Sequence, residues 1–264
     1  MTSWQKFVKY CALGLAVIII AGVIGFIADA FLDLFSIFDL KDDNSVYVYT
    51  EIMKEEIHEL NIELKNSSLE IISGDEFSIE SNNSKLKYNY ENGVVTLKEN
   101  SSIKHKDYKT VITIPKDMIL NDVNIDMKYG DVSISKFKCK DFELENKAGD
   151  TGISNLYVTN EFEMDMAIGN TEITDSNINN LEFKGGVGDF NYSGIINGDS
   201  EINLGVGNTY IKIASSINEF NYDINKGLGE ITINNKEVSS GLINNNANKT
   251  IKINGGLGNI TIYE

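Results

Sequence analysis

The stretch "GVGNTYI", Gly205 to Ile211, decides the fold. Two glycines flank a valine, an Asn follows, and polar and apolar residues then alternate. Such a glycine turn can cradle a phosphate, hold a metal, or let the chain change direction. The rest of the sequence chooses among these, because the stretch is one of seven copies.

Aligned on the glycine, the copies are "KYGDVSI" (128–134), "KAGDTGI" (147–153), "AIGNTEI" (167–173), "GVGDFNY" (186–192), "GVGNTYI" (205–211), "GLGEITI" (227–233) and "GLGNITI" (256–262). The shared glycines are Gly130, Gly149, Gly169, Gly188, Gly207, Gly229 and Gly258, spaced 19, 20, 19, 19, 22 and 29 residues apart. A near-constant period of this size marks a stacked repeat. Two residues after each glycine stand Val132, Thr151, Thr171, Phe190, Thr209, Ile231 and Ile260. Four residues after it stand Ile134, Ile153, Ile173, Tyr192, Ile211, Ile233 and Ile262. Alternation of period 2 with β-branched residues is a strand with one buried face. The nearly pure isoleucine column predicts an aliphatic stack through the core.

A second apolar alternation precedes most of the glycines, as in Phe142 with Leu144, Phe162 with Met164, and Ile202 with Leu204. Each repeat therefore reads as strand, glycine turn, strand and connector. One unit cannot bury its own face, but stacked units share a continuous core. The expected fold is all-β, a parallel β-solenoid or β-helix of about 19–22-residue coils, with successive repeats adjacent at about 4.8 Å. A corner recurring in every coil needs positive φ or close backbone approach, which glycine allows. Phosphate binding would need the glycine loop to open a helix, whereas every copy runs into a strand. The apolar residue just before each glycine reads as a corner-filler.

The residue after each glycine is Asp131, Asp150, Asn170, Asp189, Asn208, Glu230 or Asn259. Stacking predicts an outward polar ladder of these, with Asn side chains bonding between coils. Adjacent Asp131 and Asp150 would repel unless a cation bridged them, so Asp131, Asp150 and Asp189 are weak metal candidates. "GGVGDF" departs from the calcium-binding nonapeptide roll in both acid position and period. No cofactor is expected.

Residues 46–127 also read as β, in an earlier, less regular layer that starts and caps the repeat region 128–264. "ENGVVTLKEN" predicts a hairpin at Asn92-Gly93. "EIMKEEIHE" (51–59) has helical composition, and the sole proline, Pro115, ends "VITIP". The chain stops just after the last repeat strand, so the final coil is expected to expose a sheet edge.

The N-terminus differs in character. Cys11 to Ala28 holds no charge in 18 residues, and a helix of that length spans roughly 27 Å, enough to cross a bilayer. Lys6 and Lys9 precede it and Asp29, Asp33 and Asp39 follow it. This asymmetry predicts a cytoplasmic tail (1–9), a transmembrane helix (10–29), a juxtamembrane linker (30–45) and an extracellular remainder on the cell membrane. The rival is a cleaved secretory signal, since "ADA" (28–30) has the small-x-small pattern, but the apolar run exceeds a usual signal core.

The chain carries 39 acids against 23 basic residues, all lysine. Its formal net charge of −16 excludes nucleic acid as a partner and leaves a cation or a basic partner open. Two cysteines exclude a disulfide framework, and Cys139 reads as a small half-buried residue. No catalytic constellation is found. His58 and His105 stand in polar surroundings without metal-ligand spacing. Tyr129, Tyr157, Tyr192, Tyr210 and Tyr222 could make a contact face only if several point outward.

"NIELKNSSLEIISGDEFSIES", "GVVTLK", "TVITIPKDMILNDVNIDMKYGDVSI" and the Gly-Asp/Asn repeats, in this order over residues 46–264, resemble the bacterial adhesin-candidate family. That family is a domain of unknown function with β-strand repeats behind one N-terminal membrane helix. The resemblance implies a β-repeat fold and supplies no catalytic residue to transfer. The expected function is that of a membrane-anchored extracellular binding protein of the cell envelope, adhesin-like, whose partner is a wall polymer, a surface or a membrane protein. The alternatives are an envelope-stress accessory factor acting on a membrane partner and a polysaccharide-active β-helix enzyme.

Overall fold

The structure, a computed structural model, describes residues 49–53 in backbone alone and residues 56–100 and 108–264 in full. The expected tail, anchor and linker, and His105, lie outside the described residues. Among the described residues no helix is long and apolar enough to cross a membrane.

The alternating sequence forms strands throughout. The first group is β1 (Tyr49–Met53), β2 (Glu59–Leu64), β3 (Ser67–Gly74), β4 (Phe77–Ser81), β5 (Leu86–Glu91), β6 (Val94–Glu99), β7 (Tyr108–Pro115) and β8 (Ile119–Met127). The regular repeats supply β9 (Val132–Ser135), β10 (Lys138–Ala148), β11 (Thr151–Ser154), β12 (Tyr157–Ile168), β13 (Thr171–Val187), β14 (Phe190–Val206) and β15 (Thr209–Ile213). After one 3-10 turn (Ile217–Glu219) follow β16 (Phe220–Leu228), β17 (Ile231–Ile233), β18 (Lys236–Glu237), β19 (Gly241–Ile243), β20 (Lys249–Leu257) and β21 (Ile260–Tyr263). Strand β1 occupies part of the segment whose composition suggested a helix. Its antiparallel pairing with β4 outweighs local helical preference.

Two parallel flanks meet at the glycine corners. The strands entering the corners pair in the order β6, β2, β8, β10, β12, β13, β14, β20, β16. The strands leaving them pair as β7, β3, β9, β11, β13, β14, β15, β21, β17. Antiparallel strands close both ends: β5 on β6 through the Asn92-Gly93 turn, β4 on β7, β19 on β16 and β18 on β17. The outcome is an all-β, solenoid-like stack, and Pro115 stands at a strand's last residue.

The isoleucine column is buried in register. Ile134, Ile153, Ile173, Tyr192, Ile211, Ile262 and Ile233 stack between the flanks, and the column runs back through Ile71, Ile112 and Ile79. Each such side chain contributes about 1.5–3 kcal/mol over an exposed one. Cys139 belongs to a third buried column with Leu120, Val158, Ile178 and Ile196, so it is fully enclosed and not half-buried. That column follows a second corner absent from the sequence reading. Lys136, Asn155 and Asp175, each six residues after a repeat glycine, adopt φ of 56°, 54° and 50°.

One feature of the order departs from expectation. The last repeat, β20 and β21, does not follow β16 and β17 but slots between them and β14 and β15. Gly207 and Thr209 donate their N–H groups to Leu257 and Asn259, while Gly258 and Ile260 donate theirs to Leu228 and Glu230. The final coil is therefore bonded on both sides and exposes no edge. The outermost repeat is the sixth, whose edges β18 and β19 cover. A polar connector reaches back from them: Asn245 and Ala247 donate their N–H groups to Asn221 Oδ1.

Gly207 and Gly152 separate the corner requirement from mere smallness. A Cβ on Gly207, at φ +143°, would stand 1.8 Å from the Gly188 carbonyl oxygen, whereas one on Gly152 would meet nothing within 4 Å. Gly207→Ala is expected to destabilise by at least about 3 kcal/mol, and Gly152→Ala to change stability by less than about 1 kcal/mol. Urea denaturation of the two variants checks this, and equal effects would contradict the corner assignment.

Candidate functional site

The corners bring the predicted ladder residues into line. Asp131 Oδ1 accepts the Asp150 N–H at 2.8 Å, and Asp150 Oδ1 accepts the Asn170 N–H at 2.7 Å. Asn170 Oδ1 accepts from Asp189 at 3.0 Å, Asp189 Oδ1 from Asn208 at 2.7 Å, and Asn208 Oδ1 from Asn259 at 3.0 Å. Asn259 Oδ1 then accepts the Glu230 N–H at 2.9 Å. The ladder thus joins side-chain oxygens to backbone N–H groups, with one added side-chain bond from Asn208 Nδ2 to Asp189 Oδ1 at 3.1 Å, and follows the interleaved coil order. Asp131, Asp150 and Asp189 each aim Oδ1 at a backbone N–H of the next coil, which offsets the repulsion between the stacked Asp131 and Asp150. Burial pushes the Asp131 carboxyl up, the Asp150 N–H opposes this, and the Asp150 charge adds to it. Among the described residues no group of three or more acids, histidines or cysteines is arranged to share an ion.

A buried acid outside the ladder, passed over in the sequence reading, ends β6. Glu99 is fully buried, and its Oε2 accepts from the Lys65 and Asn66 N–H groups and the Ser67 hydroxyl at 2.9, 3.0 and 3.0 Å. The inward alternation Val95, Leu97, Glu99 carried that signal. His58 packs its ring beside Gly93, and its backbone N–H donates to the Gly93 carbonyl. The tyrosines do not share a face. Tyr192 and Tyr222 are buried, while Tyr129, Tyr157 and Tyr210 are exposed at a corner and on two different sides of the coil.

The outer surface of the entering flank concentrates charge. Glu143, Glu163, Glu182 and Glu201 are direct partners in consecutive strands, so their Cα atoms repeat at about 4.8 Å. A second row runs Glu59, Asp122, Asp141 and Glu161, and a third Glu63, Asp126, Glu145 and Asp165. Lysines neutralise part of this grid. Lys184 Nζ lies 2.7 Å from Glu182, 3.0 Å from Glu163 and 3.8 Å from Asp165, and Lys252 Nζ lies 3.0 Å from Glu201. Hydrogen bonds to Glu182 and Glu163 hold Lys184 firmly protonated, and Lys252 holds the Glu201 carboxyl below its usual range. Glu143 has no ion-pair partner among the described residues. Partial burial raises its carboxyl, reinforced by Glu163, Asp122 and Asp165 and opposed by Lys184. Burial likewise raises Asp122, with Glu59 and Asp141 adding to it.

The same flank carries two depressions. One, of about 620 Å³, runs beside the corners, with Glu145, Asp165, Lys184 and Asn203 along one side and Ala167, Gly186 and Gly205 in its floor. The floor is bare because the backbones approach closely: a Cβ on Gly205 would stand 2.5 Å from the Gly186 oxygen. Next along each strand come Ile168, Val206, Leu257 and Leu228, which are 39, 43, 46 and 70 % exposed. These residues were expected to fill the corner; instead the turn leaves them on its outside, where they form an aliphatic row. The second depression, of about 410 Å³, is lined by Glu161, Glu182, Asp199, Glu201 and Lys252 among others.

These features define an all-β repeat domain with an acidic flank and an adjoining apolar row. The chain belongs to the Toastrack DUF4097 family, whose model matches residues 38–263. Solved structures with similarity to it include a candidate cell adhesion protein from Clostridium sporogenes, 15 % identical over 81 % of this chain and 98 % of that one, TM-score 0.32. A candidate adhesin from Bacteroides fragilis is 13 % identical over 81 % and 96 %, TM-score 0.38. A candidate lipid-binding protein from Parabacteroides distasonis is 14 % identical over 81 % and 96 %, TM-score 0.34. No curated protein sequence matches the chain.

The Glu143 environment has a pH signature. Its carboxyl is raised in the folded state, so the associated stability is fully present below the unfolded value near 4.5 and is lost as pH rises through the folded value. Glu143→Gln should therefore stabilise at pH 7, by less than about 1 kcal/mol because the site is solvated, and should have no effect near pH 3. Thermal melts at the two values check the sign.

Proposed function

We propose that this is a non-catalytic binding protein of the cell envelope, adhesin-like, carried outside the membrane on the apolar segment 10–29 and docking its partner on the acidic flank. The in-register row Glu143, Glu163, Glu182 and Glu201 supports this reading most directly. A stack that places like charges about 4.8 Å apart sacrifices some stability there, and a cationic partner would relieve the repulsion. The exposed aliphatic row beside it adds a surface that burial would favour. A partner on the membrane or the wall fits the extracellular side expected from Lys6, Lys9 and the acids after the apolar run.

The polysaccharide-active reading finds some support in the acids around the second depression. Three of its four carboxylates are engaged, however. Glu182 is bonded to Lys184, Glu201 to Lys252, and Asp199 Oδ1 accepts the Thr250 N–H at 2.8 Å. Glycoside hydrolysis needs one acid raised and one ionised across a bound sugar, and Lys252 fits Glu201 to the ionised role alone while occupying the oxygen that role would use.

Photo-crosslinking in intact cells separates the surfaces. A benzoylphenylalanine in place of Glu163 should yield an adduct, and one in place of Ser133 or Thr174, on the other flank, should not. Adducts from both flanks alike, or from neither, would contradict the assignment.

A further inference from the structure

We propose that the groove beside the corners is a docking site for an amphipathic helix with one aliphatic and one cationic side, supplied by a partner polypeptide. The proposal rests on the acidic flank as the binding face and adds the shape and chemistry of what binds there.

Width comes first. The polar side of the groove, Asp165, Lys184, Asn203 and Asn254, is set by residues four before each corner glycine, and the aliphatic row by the residue immediately before it. Three residues of strand separate the two, or about 10 Å between backbones, so a helix about 10–12 Å across rests on both rows at once. Ala167, Gly186 and Gly205 project little or nothing between them, so a cylinder of that diameter meets an unobstructed floor.

Pitch comes second. Ile168, Val187, Val206 and Leu257 are register partners in four successive coils, so the row spans about 14 Å. Three turns of helix rise about 16 Å, which keeps an apolar stripe within about 2 Å of the row over its whole length. An extended strand advances about 6.8 Å between side chains on one face and reaches about 20 Å in three steps, out of step by a full coil. The groove therefore suits helix-in-groove recognition better than an added strand or an extended peptide.

Charge comes third. Within the groove itself Lys147 and Lys184 balance Glu145 and Asp165, so a helix directly over the floor meets no net charge there. The imbalance lies one row further out, where Glu143, Glu163, Glu182 and Glu201 face only Lys184 and Lys252. A helix with its apolar stripe on the aliphatic row points its opposite edge outward across this acidic row, where lysine or arginine side chains can reach it. No aromatic side chain lines the groove, which removes the stacking platform a sugar would use.

The test uses the full chain in nanodiscs of zwitterionic phospholipid and a fluorescent three-turn helical peptide with segregated leucine and lysine stripes. A scrambled peptide of the same composition serves as control. Anisotropy should report at least tenfold tighter binding of the segregated peptide than of the scrambled one, with empty nanodiscs subtracted. The double variant Ile168→Asn with Val206→Asn, and separately Glu163→Gln with Glu182→Gln, should each weaken it at least tenfold, and circular dichroism should remain unchanged. Equal binding of the two peptides, or insensitivity to the aliphatic-row variant, would overturn the helix-docking proposal while leaving the acidic flank as a binding face. Loss of the Glu163 photo-adduct in cells would instead remove the flank itself.

Discussion

Everything in this molecule depends on how closely one backbone passes another at the glycine corner. A Cβ at Gly149, Gly169, Gly188, Gly207 or Gly258 would lie between 1.8 and 2.2 Å from a carbonyl oxygen of the neighbouring coil, at φ between +142° and +144°. The corner carbonyls can stack at strand spacing only because no side chain stands in the way. Once the corners are in line, the strands on either side are fixed in register. Register then decides which side chains meet: isoleucine on isoleucine inside, glutamate on glutamate outside.

The ladder and the acidic flank are two consequences of that registration with opposite energetic sign. At the corner, a side-chain oxygen of one coil accepts the N–H of the next, so Asp and Asn are interchangeable and adjacent acids are tolerated. On the flank, Glu143, Glu163, Glu182 and Glu201 have no backbone donor to turn to, and they are relieved in part by Lys184, Lys252 and the Asn203 amide. The fold therefore keeps one acidic row quiet and leaves the other exposed to solvent.

Much of this was legible in the residues. The glycine period and the isoleucine column gave the strands, their buried face and their parallel stacking, and Asn92-Gly93 gave its hairpin. The second corner was partly visible, since Asn155 and Asp175 favour positive φ, but Lys136 gives no such signal. Alternation misled at the residue before each glycine: Ile168, Val206 and Leu228 are apolar, yet the chain turns under them and leaves them outside. The interleaved last coil was hidden for a different reason. Repeats 5, 6 and 7 have nearly the same motif, so local sequence suits either order, and only the longer spacings of 22 and 29 residues marked the place. The lysine-poor row of glutamates could be found only after the register was known, because strand partners about 20 residues apart do not announce themselves.

The interleaving sets the coil order on which the flank and groove are built, and paired cysteines test it most directly. Tyr210 and Thr261 are register partners, as are Thr261 and Thr232, whereas Tyr210 and Thr232 are separated by the intervening strand. In a background with Cys11→Ser and the enclosed Cys139 retained, mild oxidation should close a disulfide in Tyr210→Cys with Thr261→Cys, whose Cα atoms lie about 4.8 Å apart. Tyr210→Cys with Thr232→Cys, about 9.6 Å apart, should stay reduced. A disulfide in the second pair and none in the first would mean that the repeats stack in simple sequence order, and would contradict the architecture described.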